Sequence, residues 1–248
     1  MPTSTPLAGR SVLVTGGAKR LGAAIARRLH GAGANVVVHY HRSRPAADAL
    51  VAELDAKRSG SALAVSSDLH DVERLPALTE AATARFGRID VLVNNASTFY
   101  PTPLGSITPA QFDDLVGTNL RAPLFLSQAA APALRAAQGL IINMVDIHGR
   151  RPLREHPVYS AAKAGLEMLT KSLARELGPE VRVNGIAPGP VLWPERELDE
   201  ALKSEIVGKT ALKRTGTPDD VARTALFLAC DAPYLTGQVI VVDGGRSL

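Results

Sequence analysis

Ser11-Val12-Leu13-Val14-Thr15-Gly16-Gly17-Ala18-Lys19-Arg20-Leu21-Gly22 joins a short apolar run to a glycine-rich turn, and the turn opens an amphipathic stretch that continues to Leu29. Such a run, broken by glycines and followed by helical periodicity, predicts a strand, a tight turn and a helix in succession. The alternation repeats down the chain, which is the pattern of βαβ units feeding a parallel sheet. Strands are expected at Ser11–Thr15, Asn35–Tyr40, Ala62–Ser66, Val91–Asn94, Leu140–Val145, Arg182–Ile186 and Val239–Val242. Helices are expected near 20–32, 45–58, 71–86, 109–137, 157–178 and 217–230.

These elements imply an α/β fold with a single doubly wound, Rossmann-like parallel sheet of about seven strands and helices on both faces. The spacing leaves no linker, so one domain over residues 1–248 is expected. From Pro188 to about Thr217 the pattern weakens over a stretch too long for a plain connection, and a lid or small helical excursion is expected there. In such a sheet ligands collect at the carboxyl ends of the strands, where strand order reverses.

Composition narrows the function classes. Hydrophobic residues make up 46% and charged residues 21% of 248, and no apolar run approaches the roughly 18 residues of a membrane span. The start, Met1-Pro2-Thr3-Ser4-Thr5-Pro6, lacks the basic and apolar regions of a signal peptide, so a cytoplasmic protein without membrane partners is expected. The lone Cys230 excludes an internal disulfide framework and, after Ala225-Leu226-Phe227-Leu228-Ala229, reads as a packing residue. A net charge of +4 and a pI near 9.4 come from scattered Lys and Arg, which argues against nucleic acid and suits a small polyanion. The histidines take no metal spacing.

The turn after the first strand suits a pyrophosphate, because glycines admit close backbone approach and a helix N-terminus offers free N–H groups. An acid at the end of the second strand would bind ribose hydroxyls. None is present; His41-Arg42-Ser43 stands there instead and suits a 2'-phosphate, which Arg42 can grip bidentately. Asp68, after the third strand, fits either an acceptor for an adenine amino group or a helix cap. Asn94-Asn95-Ala96-Ser97 offers small and amide residues where a dinucleotide passes close to the backbone.

Tyr159 and Lys163 are four apart on an expected helix and share a face, and Asp146 closes the apolar run Leu140-Ile141-Ile142-Asn143-Met144-Val145. A phenol, an ammonium and a carboxylate at one strand end suggest proton delivery during a reduction. A carboxylate about 4 Å from a developing alkoxide costs roughly 4 kcal/mol at an effective dielectric near 20, on the order of a thousandfold in rate. Protonation of a C=N nitrogen reverses that sign. Asp146 therefore argues against an ordinary carbonyl substrate. The ammonium is expected to lower the phenol pKa toward the working range.

From about Arg10 to Gly245 the chain resembles the short-chain dehydrogenase/reductase family. The motifs are Thr15-Gly16 with Gly22, Asn94-Asn95-Ala96, Asn119, Tyr159 with Lys163, Pro188-Gly189 and Asp243-Gly244-Gly245. Two positions depart from the common pattern: Arg20 stands for the middle glycine of Thr-Gly-x-x-x-Gly-x-Gly, and Asp146 for the usual catalytic serine. Both departures, with His39-Tyr40-His41-Arg42-Ser43, Asn94 to Pro103 and Asn143-Met144-Val145-Asp146, resemble the pteridine reductase branch.

The resemblance implies NADPH as cofactor, a pterin or folate as substrate and a homotetramer. It implies cofactor contacts from Gly16, Arg20, Leu21, His41, Arg42, Ser43, Asp68, Leu69, Asn95, Ala96, Ser97, Met144, Tyr159, Lys163, Pro188 and Gly189. Tyr159 and Asp146 are then the proton-handling pair, Lys163 binds the nicotinamide ribose, and Asn119 holds a water or backbone group that keeps Lys163 in place. Arg20, Ser97, Phe99, Asp146, Tyr159, Leu192 and Trp193 would meet the substrate, Phe99 clamping a flat ring against the nicotinamide. A carbonyl reductase on the same scaffold and a non-catalytic NADPH sensor are the competing readings.

Overall fold

The computed structural model describes residues 5–193 and 199–248. Seven parallel strands form one sheet: β1 (Ser11–Val14), β2 (Asn35–Tyr40), β3 (Ala62–Ser66), β4 (Val91–Asn94), β5 (Leu140–Met144), β6 (Arg182–Pro188) and β7 (Val239–Val242). Their order is β3-β2-β1-β4-β5-β6-β7, so strand order reverses between β1 and β4, and the expected doubly wound architecture is what forms. Helices α1 (Arg20–Gly31), α2 (Arg44–Lys57), α3 (Leu75–Phe86), α4 (Pro109–Val116), α5 (Ala122–Ala137), α6 (Pro157–Leu177), α7 (Glu200–Gly208) and α8 (Pro218–Cys230) cover the two faces and one edge segment.

The period-2 direction of strand side chains divides the core in two. On one face Val12, Val14, Val36, Val38, Val91 and Ile142 pack against Ile25 and Leu29 of α1, Leu50 and Leu54 of α2 and Val221 and Leu228 of α8. On the other Leu13, Val37, Leu92, Ile141 and Val183 pack against Leu75 and Leu78 of α3, Leu126 and Leu134 of α5 and Leu177 of α6. Each fully buried Val or Leu is worth roughly 1.5–3 kcal/mol, so this two-sided burial outweighs any local propensity in setting where the strands lie. No helix among the described residues is long and apolar enough to cross a membrane.

Two expectations change. The segment 109–137 is not one helix: a π-turn at Gly117–Arg121 separates α4 from α5. The causes are local. The Asn119 side-chain amide donates to the Leu115 carbonyl at 2.9 Å, taking an acceptor the backbone ladder would use. Pro123 has no N–H and its ring would crowd the carbonyl four residues back. The weak-pattern stretch contains α7, capped by the Asp199 side chain, so the helical excursion is the alternative that forms; Pro194 to Leu198 lie outside the described residues.

Candidate active site

The glycine-rich turn is held by three strand ends. Thr15 Oγ1 accepts from the Asn95 and Ala96 N–H groups at 2.9 and 3.0 Å, and the Asn95 amide donates back to the Thr15 and Gly16 carbonyls at 2.9 and 3.2 Å. The Gly16 N–H donates to His39 Nδ1 at 3.1 Å, and His39 Nε2 lies 3.1 Å from the Ser67 carbonyl. Those partners define the tautomer: Nε2 carries the proton and Nδ1 accepts. Burial pulls the His39 pKa down to about 4, so the ring stays neutral and keeps both bonds. In the sequence His39 was given no role of its own, standing only within a branch-like stretch and as a non-ligand; the contact that gives it one joins residues 16, 39 and 67, and no local pattern signals it.

Gly16 has φ +58°, and a Cβ on Gly22 would stand 2.3 Å from the Gly16 carbonyl oxygen, so the turn closes only with glycine at both positions. Arg20 also has a positive φ, +53°, at the place where the common pattern has glycine. A left-handed residue with a side chain costs about 1–2 kcal/mol. The guanidinium reaches across the cleft and donates to the Trp193 carbonyl at 2.8 Å, joining the turn to the segment after β6. The N-terminus of α1 has no side-chain cap and no acidic residue in its first turn, which leaves N–H groups free for an anion.

A cleft of about 700 Å³ opens over the carboxyl ends of the strands. Of the expected site residues it is lined by Gly16, Arg20, Leu21, His41, Arg42, Asp68, Leu69, Asn95, Ala96, Ser97, Phe99, Met144, Asp146, Tyr159, Lys163, Pro188, Gly189 and Leu192. Ser43 is instead the residue before α2, whose N-terminus has no side-chain cap and no acid in its first turn, beside Arg42. Trp193 meets the site through its carbonyl, not its ring. Asp68 caps no helix, since the turn after it begins at Asp71 without a side-chain cap; one of its oxygens accepts from the His70 N–H at 3.0 Å, and the residue lines the cleft 3.8 Å from His41. The basic end around Arg42 and the glycine turn thus fit the phosphates of a dinucleotide.

At the other end, Asp146 follows β5 and Tyr159 and Lys163 enter on the first turns of α6. A buried polar chain aligns these elements: the Asn94 amide donates to Asn143 Oδ1 at 2.8 Å, and the Asn143 amide to Thr170 Oγ1 of α6 at 2.9 Å. The Tyr159 hydroxyl donates to Asp146 Oδ2 at 2.8 Å, and the other Asp146 oxygen accepts from the His148 N–H at 2.8 Å. Lys163 Nζ donates to the Met144 carbonyl at 2.8 Å and lies 5.6 Å from the Tyr159 ring centre.

The electrostatics reverse one expectation. Burial, then the Asp146 carboxylate, push the Tyr159 phenol well above its ordinary range, so the nearby ammonium does not bring it down. Tyr159 therefore keeps its proton. Burial also pulls Lys163 down to about 8, with Asp146 opposing the fall. Asn119 holds backbone groups, and none of its hydrogen bonds among the described residues reaches Lys163. Its oxygen accepts from the Ser97 hydroxyl at 2.6 Å and its amide donates to the Thr98 carbonyl at 3.0 Å, so it anchors the segment after β4, whereas Lys163 is held by Met144.

Phe99 is 43% exposed at the cleft wall, with Tyr159 edge-on at 4.8 Å between ring centres. Tyr100, next in the chain, donates to Asp114 at 2.8 Å and is pushed up to about 12 by burial and by that carboxylate. Asp114, His70 and Thr118 complete the wall, residues the sequence did not single out because their roles depend on the path of the 98–108 loop. Among the described residues there is no cluster of three or more His, Cys, Asp or Glu able to hold a metal.

A family model described as enoyl-(acyl carrier protein) reductase matches residues 16–247. Pteridine reductase 1 of Leishmania tarentolae is 39% identical over 277 aligned positions, covering 95% of this chain and 96% of the relative. The 3-oxoacyl-[acyl-carrier-protein] reductase FabG of Staphylococcus aureus is 38% identical over 240 positions, covering 95% and 97%. An uncharacterised oxidoreductase of Methylorubrum extorquens is 37% identical over 245 positions, covering 96% and 98%. With its glycine turn, its Tyr159–Lys163 helix and matches along nearly its whole length, the chain belongs to the short-chain dehydrogenase/reductase family of nicotinamide-dependent oxidoreductases.

Proposed function

We propose that this protein is an NADPH-dependent pteridine reductase, taking a dihydropterin to the tetrahydro form, with oxidised pterins and dihydrofolate as further substrates. The observation that carries the reading is the 2.8 Å hydrogen bond from Tyr159 to Asp146, a carboxylate where ketone chemistry is best served by a neutral donor. Bound NADPH would supply the hydride. The chain's own residues bind, orient and protonate. Gly16, Arg20, Leu21 and the N-terminus of α1 hold the pyrophosphate, and His41, Arg42 and Ser43 hold the 2'-phosphate. Asp68 and Leu69 meet the adenine, while Asn95, Ala96, Ser97, Met144, Pro188 and Gly189 flank the nicotinamide half.

Lys163 grips the ribose and offsets negative charge left on Tyr159 after proton transfer. Tyr159 delivers the proton to a ring nitrogen, and Asp146 favours the cationic character that appears there. Phe99 stacks on the flat ring, with Leu192 at its edge. Likeness to the Leishmania tarentolae pteridine reductase supports the assignment. Exposed Phe112, Leu124, Phe125 and Met168 on α4 to α6 suit burial in a homotetramer, and sedimentation velocity at micromolar concentration is expected to give a four-chain species, a monomer refuting it.

The second reading, a 3-oxoacyl thioester reductase, is favoured by a near-equal likeness to FabG. NADPH oxidation measured over dihydrobiopterin, dihydromonapterin, dihydrofolate and an oxoacyl thioester separates the two. Turnover of the thioester alone would establish the second. In the same assay Arg42→Ala should weaken NADPH about tenfold to a hundredfold, the loss of a charge-assisted phosphate contact, and leave NADH within about twofold. Equal losses for both would remove the phosphate argument.

A further inference from the structure

His156 stands immediately before α6, three residues from Tyr159, and is buried. Its ring makes no capping bond to the helix and is not part of the cleft lining. It stacks on Phe99 instead, with ring centres 4.7 Å apart and planes 13° from parallel. One face of Phe99 is therefore covered by imidazole, its side meets the edge of Tyr159, and the ring still borders the cleft.

The polar atoms of His156 show how that ring is held. Nδ1 lies 2.8 Å from the Arg154 carbonyl, which requires the proton on Nδ1. Nε2 is buried without a partner, as is Thr102 Oγ1 on the segment that docks here through the Thr102 N–H to the Glu155 carbonyl at 2.6 Å. An unpaired nitrogen in a protein interior is unfavourable, so stability alone does not account for a histidine at this position. The imidazole does what an aliphatic side chain would not: an in-plane hydrogen bond fixes its rotation, and its flat face transmits that plane to Phe99.

We infer that His156 is a positioning residue that sets the plane of the Phe99 clamp and thereby the affinity for a flat heteroaromatic substrate. This rests on the pteridine reductase reading. The clamp is a double layer, His156 behind Phe99 and the substrate in front, and its stiffness comes from the Arg154 carbonyl. Because His156 acts through Phe99 and touches neither cofactor nor reacting atoms, its loss raises KM while the chemical step and cofactor binding stay in place.

The test uses full-length His156→Ala, His156→Asn and His156→Phe, with kcat and KM for dihydrobiopterin and the NADPH Kd from fluorescence. Loss of one aromatic stack corresponds to about a threefold to tenfold change, so His156→Ala should raise KM by that factor with kcat and NADPH Kd within about twofold. His156→Phe, which restores a flat ring without the Arg154 bond, should bring KM part of the way back, between His156→Ala and the parent, whereas His156→Asn, which keeps a donor for the Arg154 carbonyl but no ring, should resemble Ala. An unchanged KM in His156→Ala, or rescue by Asn and not by Phe, overturns the inference while dihydrobiopterin turnover by the unaltered enzyme upholds the function. No dihydrobiopterin turnover by the unaltered enzyme overturns both.

Discussion

Asp146→Asn is expected to cut dihydropterin reduction about a thousandfold while leaving NADPH affinity within about twofold, the rate loss following from roughly 4 kcal/mol of charge interaction at 4 Å and an effective dielectric near 20. The substitution is nearly isosteric, so it removes the charge and one acceptor without changing the size of the side chain. Asn keeps one oxygen, which can accept from the His148 N–H or from the Tyr159 hydroxyl but not from both through separate atoms, and its NH2 takes the other place. What it removes is the anion that favours a protonating ring nitrogen. Asp146→Ser, which restores the residue of the common family pattern, should lose pterin reduction to the same degree and gain oxoacyl thioester reduction, since a neutral hydroxyl replaces a charge that repels the alkoxide. Single-turnover rates with saturating NADPH are the measurement. Pterin rates within tenfold of the parent in both variants would sink the carboxylate argument.

Tyr159→Phe should lower kcat by about a hundredfold to ten-thousandfold, the usual worth of a positioned general acid, with NADPH Kd little changed. The buried phenol is neutral because burial and Asp146 both resist its ionisation, so its proton is available across the physiological range. Its conjugate base would be an anion beside a carboxylate, and Lys163 is the cation that offsets it. Burial pulls Lys163 from 10.5 to about 8, so kcat/KM for the free enzyme should fall as pH rises past about 8.

Stability responds with the opposite sign. Between about pH 8 and 10.5 the unfolded chain retains the Lys163 proton that the folded chain has released. The unfolded state binds more protons in that window, so this group adds stability as pH rises through it and withdraws it as pH falls back toward 8. Parallel pH profiles of kcat/KM and of the thermal midpoint, compared with Lys163→Met, read the two effects. Coincident profiles for parent and variant would show that Lys163 does not titrate there.

Much of the fold was legible because apolar periodicity is a local signal. The alternation that places Leu13, Val37, Leu92 and Ile141 on one face and Val12, Val36, Val91 and Ile142 on the other is written into successive residues. The break in 109–137 was not legible, since it depends on one amide capturing the carbonyl of Leu115 and on Pro123 lacking an N–H at that turn. Residues beside the motif glycines and the Tyr-x-x-x-Lys pair line one cleft, as their place at strand ends implied. His39, His156, Asp114 and the anchoring role of Asn119 were missed, because each acquires meaning through a partner supplied by another segment.

The sequence by itself determined the sheet, the turn that can cradle phosphates, the basic end of β2 and the presence of a carboxylate among the acid-base groups, all of which follow from residue type and short spacing. Tertiary structure decided the state of those groups. Lys163 does not make Tyr159 more acidic, because desolvation in the packed interior and a carboxylate 2.8 Å from the hydroxyl outweigh an ammonium whose nearest hydrogen-bond acceptor is the Met144 carbonyl. A one-dimensional pattern records which charges are present. Only the folded chain sets their distances and the dielectric between them, and those two quantities fix every electrostatic energy at the site.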